Sequence, residues 1–100
     1  MLPMPAMFEF SGGGLSVTPS TYDTQVAFEI FNVGDETGVA EVGCEVDGTF
    51  ITSWSAQLDP NVGDRPYVSL GAMYEGAHTA LVYVNPGSGQ NDHLQQDFTV

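Results

Sequence analysis

The chain has 100 residues, of which 42% are hydrophobic and only 14% charged, and thirteen carboxylates against one arginine give a formal net charge of −12. This length suits a single domain with one modest core, spanning residues 1–100. The negative charge repels nucleic-acid backbones and anionic membrane surfaces, which argues against both as partners. No apolar run approaches the roughly 18 residues that a membrane-spanning helix needs, so we expect no membrane insertion.

Hydrophobic residues alternate with polar ones in short runs that glycine, proline, asparagine and aspartate separate. This two-residue period is typical of antiparallel strands, and no segment keeps a helical period. Strands are predicted, in chain order, at 8–10, 15–18, 24–34, 39–46, 49–58, 67–73, 78–84 and 94–100. Seven or eight strands at about ten-residue spacing predict an all-β Greek-key sandwich.

The first ten residues, MLPMPAMFEF, are too apolar for a free tail. Residues 1–14 are therefore predicted to form an apolar arm or first strand, followed by a glycine-rich turn. The arm pairs either with its own sheet or with the sheet edge of a neighbour. It lacks the basic and long apolar regions of a signal peptide. We expect either a cytoplasmic or particle component or a domain of a longer exported protein.

Residues 31–50 hold five of the acids, and turn chemistry explains most of them. Asp47 and Gly48 form the strongest short hairpin signal, between two alternating runs. Asp35 and Glu36 lie in a second turn, while Glu41 and Glu45 fall on the wet face of a strand.

The segment 49–58, TFITSWSAQL, is expected to turn its more apolar face inward, with Trp54 as a core anchor. That face is predicted to contain Phe50, Thr52, Trp54, Ala56 and Leu58. Cys44 lies at an inward position of the preceding strand, and a single cysteine can form no intramolecular disulfide.

No motif joins the single cysteine or either histidine to a base or serine nucleophile, so no catalytic residue is predicted and we expect a non-enzyme. The segment Asp59, Asn61 and Asp64 places oxygen ligands at the start of a loop, but it lacks the glycine and glutamate of a complete calcium loop. The expectation is no cofactor, with weak calcium binding left open. Two histidines and one cysteine are too few for a typical zinc site.

Several apolar side chains fall outside the inward pattern and are candidates for contact with a protein partner or an assembly lattice. For those on the nominally wet face of a sheet, such as Leu81 and Tyr83, an equally good explanation is that a second structural element covers this face. The candidate contact residues are Met4, Met7, Phe8, Phe31, Leu81 and Tyr83.

The run NVGDETGVAEVGCEVDG, then LDP at 58–60 and GAHTALVYVNP at 76–86, resembles the CARDB family of bacterial and archaeal immunoglobulin-like (Ig-like) domains. The resemblance covers about residues 15–100. It implies an Ig-like sandwich and a structural or adhesion-type module at the cell surface. The late stretch GSGQNDHLQQDFTV departs from the family's acidic pattern, with only Asp92 and Asp97.

Two other functions stay open. The first is a decoration protein of a virion or other particle, which would favour a homo-oligomer. The second is a carbohydrate- or calcium-binding module.

Overall fold

The computed structural model describes residues 4–100, which form ten β-strands and no helix. The strands are β1 (Phe8–Phe10), β2 (Ser16–Thr18), β3 (Thr24–Ala27), β4 (Ile30–Asn32), β5 (Gly38–Val46), β6 (Thr49–Leu58), β7 (Gly63–Asp64), β8 (Tyr67–Gly71), β9 (Ala77–Asn85) and β10 (His93–Thr99). Since residues 4–100 contain no helix, none is available there to cross a bilayer.

The strands form two layers, and neighbouring strands within each layer are antiparallel. One layer is a four-stranded sheet of order β10-β9-β5-β6. The other layer consists of two three-stranded sheets, β1-β4-β7 and β2-β3-β8. If β1 with β2, β3 with β4 and β7 with β8 are counted as interrupted strands, the ten segments fill seven strand positions. The predicted all-β Greek-key sandwich is confirmed, because the chain changes layers after β4, β6 and β8.

Aliphatic and aromatic side chains from both layers fill the space between them. The Phe28 ring meets Phe10 edge to face at 5.3 Å between centroids, and Trp54 in the same manner at 5.8 Å. Trp54 therefore packs on the core as expected, but it is only partly buried because β6 is an edge strand. The most deeply buried aromatic side chains are instead Phe8 and Phe10.

The N-terminal segment pairs within its own molecule. Strand β1 pairs with β4, and the N–H groups of Phe8 and Phe10 donate to the carbonyls of Pro86 and Asn91 at 3.0 and 2.7 Å. Because residues 86 and 91 lie in the loop between β9 and β10, β1 joins the two layers. Of the predicted arm, residues 1–3 lie outside the described part of the chain.

The turn at Asp47 and Gly48 is the predicted two-residue hairpin. Val46 pairs with Thr49, and the φ angles of Asp47 and Gly48 are 52° and 82°. Two positive φ angles match the twist of the flanking strands, and Asp-Gly is a sequence that adopts them readily.

Immediately after this hairpin, β6 departs from the expected alternation. Cys44 pairs with Thr52 and Glu45 with Phe50, so Ile51 is an extra residue on β6. The bulge turns Phe50 to the outer face, where 58% of its surface is exposed. The predicted inward position of Phe50 is wrong, whereas Leu58 is buried as expected.

One buried amide ties the layers together at the end of β4. The side-chain N–H₂ of Asn32 donates to the carbonyls of Glu36 at 2.8 Å and Leu58 at 3.0 Å. Its side-chain oxygen accepts the N–H of Gly34 at 2.9 Å. Asn32 has no exposed surface, so it holds the β4–β5 loop and the end of β6 against β4.

The backbone of Asn32 adds two further bonds to the segment before β7. Its N–H donates to the Val62 carbonyl at 3.1 Å, and its carbonyl accepts the Asn61 N–H at 2.9 Å. One residue thus fixes three separate segments of chain.

We expect Asn32→Ala to lower the free energy of unfolding by about 3 kcal/mol, because the buried carbonyl of Leu58 and the partly buried carbonyl of Glu36 lose their donor. Equilibrium urea denaturation measures this change. Gln57→Ala, an exposed substitution on β6, is the control and should stay within about 0.5 kcal/mol of the wild type. Equal stability of the two variants would contradict the role assigned to Asn32.

Candidate contact face

The outer face of the four-stranded sheet carries apolar side chains in adjacent rows. In one row, Phe50, Glu45, Leu81 and Gln95 follow one another from β6 to β10. In the next row, Ser53, Gly43, Tyr83 and His93 occupy the same four strands. Phe50 is 58% exposed and Tyr83 is 36% exposed. We call Phe50, Leu81 and Tyr83 the apolar face residues.

The Tyr83 ring lies over Gly43 on the neighbouring strand. A Cβ atom built at Gly43 would come within 2.4 Å of the Tyr83 ring, so only glycine leaves room for this ring position. Gly43 is thereby buried beneath the ring. Glycine at position 43 thus allows the Tyr83 side chain to extend from β9 over β5.

Carboxylates and neutral polar groups surround the apolar face residues, and no basic side chain accompanies them apart from His93. Glu45 is half-buried between Phe50 and Leu81, and Glu41 is exposed further along β5. The His93 ring nitrogen lies 3.1 Å from an oxygen of Asp92. This face therefore combines apolar surface with negative charge.

The structure separates the residues predicted for contact into two groups. Leu81 and Tyr83 lie on the outer face just described. Phe31 lies on the outer face of the other layer, since it pairs with Glu9 between the buried residues of β4, and its ring covers Gly63. Opposite faces of a sandwich cannot form one continuous surface.

Of the N-terminal candidates, Met4 is 48% exposed and Met7 is half-buried. Phe8 has no exposed surface, so its predicted role in contacting a partner is wrong. The alternation of β1 directs Phe8 between the layers, where its burial stabilises the fold.

Unbroken alternation along β6 would place Phe50 inward, so its position on the surface was missed. The adjacent apolar pair Phe50 and Ile51, in which alternation must leave one member facing outward, is the only local signal of the departure.

Of the weak calcium candidates, Asp59 and Asn61 lie in the turn between β6 and β7, and Asp64 lies on β7. Among residues 4–100, no group of three or more histidine, cysteine, aspartate or glutamate side chains is close enough to hold a metal ion. An Asp59 oxygen accepts the Thr37 hydroxyl at 2.8 Å, and an Asp64 oxygen accepts the Arg65 N–H at 2.8 Å. The Arg65 side chain pairs with Glu29, which is distant in sequence.

Cys44 lies between the layers with 1% of its surface exposed. Burial raises the pKa of its thiol to about 11. A thiol that resists ionisation is a poor nucleophile, so this environment favours packing over chemistry.

His78 lies in a hydrogen-bonded corner at the start of β9. One ring nitrogen donates to an Asp47 oxygen at 2.7 Å, and the other donates to the Tyr74 carbonyl at 2.7 Å. The ring also stacks on Phe98 at 5.5 Å between centroids. Two acceptors suit the imidazolium form, so the bond to Asp47 and then that to Tyr74 raise the pKa of His78.

The same contact acts on the carboxylate. The bond from His78, followed by the N–H of Thr79 at 2.9 Å, lowers the pKa of Asp47. The corner ties the Asp47 turn to β9, which is a structural role for His78.

Solved structures with the same architecture include a CARDB domain from Pyrococcus furiosus in complex with di-metal ions. It matches with a TM-score of 0.73 at 15% identity, over 98% of this chain and 93% of that one. A solution NMR structure of that domain matches with a TM-score of 0.69 at 18% identity, over 95% and 93% of the two chains. This chain has the fold of a CARDB domain.

The CARDB-like fold also occurs as a small part of larger chains. β-Glucosidase 3B from Thermotoga neapolitana, in complex with glucose, matches with a TM-score of 0.71 at 19% identity, over 95% of this chain but 16% of that one. No protein-family model matches this sequence, and no curated protein matches it significantly. These likenesses support an Ig-like module.

We expect Cys44 to react with a disulfide reagent at least about a hundredfold more slowly in the native state than in denaturant. Burial raises the thiol pKa by about two units, which leaves about a hundredfold less thiolate to react. Absorbance of the released thiolate at pH 8 follows the reaction. Fast labelling of a chain that keeps its native circular dichroism would contradict the burial of Cys44.

The pair of Asp47 and His78 predicts a pH window of extra stability. The contribution of Asp47, whose pKa is lowered, is lost as pH falls through its folded-state pKa. The contribution of His78, whose pKa is raised, is lost as pH rises through its folded-state pKa. Both contributions are complete between the ordinary pKa values of aspartate and histidine, from about pH 4 to 6.5.

Asp47→Asn tests this window because asparagine keeps the turn conformation but removes the charge. The thermal midpoint of the variant should fall furthest below that of the wild type inside the window, and less outside it. Glu36→Gln, which removes a carboxylate from an exposed loop, is the control. A pH-independent difference for Asp47→Asn would rule out the ion pair as its cause.

Proposed function

We propose that this chain is a non-enzymatic interaction module that binds a protein partner through the outer face of its four-stranded sheet. The observation that carries the proposal is that Phe50, Leu81 and Tyr83 share one outer face. Phe50 lies on β6 and the other two lie on β9, and the Tyr83 ring covers Gly43 on the intervening strand β5. Single exposed apolar side chains are ordinary on a folded domain, but several grouped on one polar face mark a contact site. Aromatic residues dominate the energy of such contacts.

The rigidity of this face supports the proposal. Strands β5 and β9 are paired on both sides, and β6 is joined to β5 by the Asp47 hairpin. The Tyr83 ring lies over Gly43. A rigid surface loses little conformational entropy on binding. A flat sheet face without a deep cleft suits a protein surface better than it suits a small substrate.

The double variant Phe50→Ser with Leu81→Gln tests the proposal. Both substitutions keep side chains outside the core, so the fold should persist while the apolar contact is lost. Affinity capture from an extract of the source cells, quantified by mass spectrometry, should recover the partner at least about tenfold less with this variant.

Tyr67→Ser is the matched control, because Tyr67 is 78% exposed but lies on β8 in the other layer. It should capture the same proteins as the wild type. An unchanged set of captured proteins with the double variant would refute the proposed face. Parallel runs with calcium or a chelator, and on immobilised glycans, separate a metal- or carbohydrate-dependent contact from the one proposed.

A further inference from the structure

Strand β6 forms one edge of the four-stranded sheet and has ten residues. Within residues 4–100 it pairs with β5 alone, so its outer side carries backbone groups without a strand partner. Such an edge can accept a further strand through main-chain hydrogen bonds.

The pattern of hydrogen bonds shows which residues of β6 direct their backbone outward. In antiparallel sheets, successive residues bond alternately to the two neighbouring strands. The N–H of Val84 on β9 donates to the Asp92 carbonyl at 3.0 Å, toward β10. Tyr83, the adjacent residue, therefore bonds to Gly43 on β5.

The alternation continues across β5 to the edge. Because Gly43 bonds to β9, its neighbour Val42 bonds to β6, where its partner is Trp54. Trp54 thus bonds inward, and its neighbours direct their N–H and C=O groups to the open side. These outward residues are Ser53, Ser55 and Gln57, whose side chains are all exposed.

Beyond the bulge at Ile51, β6 lacks the other features that usually protect an edge. Its sequence, TFITSWSAQL, contains no charged residue and no proline, in a chain with thirteen carboxylates. Charges, prolines and short length are the common means of preventing edge pairing. The opposite edge of the same sheet, β10, carries Asp97 and His93.

Charge indicates what kind of strand fits this edge. Ser55 pairs with Glu41, and Phe50 pairs with Glu45, so two carboxylates lie one strand in from the edge on the outer face. An added strand would lie about 10 Å from β5, two strand spacings away. Lysine or arginine side chains reach across the small serines over that distance, and Phe50 offers apolar surface beside them.

We propose that an extended segment of another protein, bearing basic side chains, adds to β6 as a fifth strand. This proposal rests on the proposed function and names the chemistry of the partner. A second copy of this chain fits less well, because each copy has a net charge of −12 and contributes only one arginine. Repulsion between two such copies opposes edge-to-edge pairing.

A capped synthetic peptide of ten residues, alternating lysine and valine, is the probe, and the same peptide with glutamate in place of lysine is its control. Titration calorimetry at low and high salt should show binding of the lysine peptide alone, weakening as salt rises. Hydrogen exchange should show new protection at the amides of Ser53, Ser55 and Gln57.

Ser55→Pro separates strand addition from general attraction between opposite charges. The proline removes an outward N–H while the bonds from β6 to β5 remain, so affinity should fall at least about tenfold. Gln95→Pro is the matched control on β10, the opposite edge strand of the sheet. Gln95 lies between two residues of β10 that bond to β9, so its own N–H points away from β9, to the open side of β10. It should bind the lysine peptide as the wild type does. If Ser55→Pro does not fold, Ser53→Pro takes its place.

Three results would overturn the proposal. Equal affinity of Ser55→Pro and the wild type would mean that the peptide binds by charge alone. Protection away from β6 would place it elsewhere. A wild type that doubles its mass in light scattering, while Ser55→Pro stays at 10.7 kDa, would make a second copy the occupant. Any of these can occur while Phe50 and Leu81 remain necessary for capture, so the two proposals fail independently.

Discussion

The buried amide of Asn32 is the interaction on which the geometry of the sandwich most depends. Hydrophobic burial drives the two layers together, but it is non-directional and specifies no particular alignment. Asn32 supplies that alignment, because its amide bonds to the loop after β4 and to the end of β6 in the other layer. A fully buried polar group is tolerated only when its bonds are satisfied, and this requirement selects one arrangement of the surrounding chain.

From that anchored end, β6 runs to the Asp47 hairpin, and the two ends of the strand have different characters. Leu58 is buried beside the Asn32 network, whereas Phe50 is turned outward by the bulge at Ile51. The bulge thus places Phe50, which unbroken alternation would direct into the core, on the surface. The same strand supplies the free edge, so the apolar face and the unpaired backbone groups are contiguous.

The distribution of charge complements this arrangement. Acids occupy turns and the outer positions of β5, but they are absent from β6. The net charge of −12 opposes contact between copies of the domain, whereas the uncharged edge suits the proposed strand of opposite charge. The carboxylates of β5 flank that edge and do not interrupt it.

Local patterns were enough to predict much of this protein. Alternation located β5 and β9, and Asp47-Gly48 predicted the hairpin, because strand period and turn conformation depend on neighbouring residues alone. The inward assignment of Phe50 failed, since a bulge depends on how β6 registers against β5.

The sequence by itself determined the all-β class, most of the strands and the tight turn, because each rests on interactions within a few residues. It did not predict β7 or the break between β3 and β4. The tertiary structure alone decided that Phe8 is buried, that Phe31 and Tyr83 lie on opposite faces, and that β6 ends its sheet with one side open. These properties arise from pairings between residues far apart in the chain. Side-chain period states that a residue faces one side of a strand, but only packing decides whether that side meets a core, a neighbour or solvent.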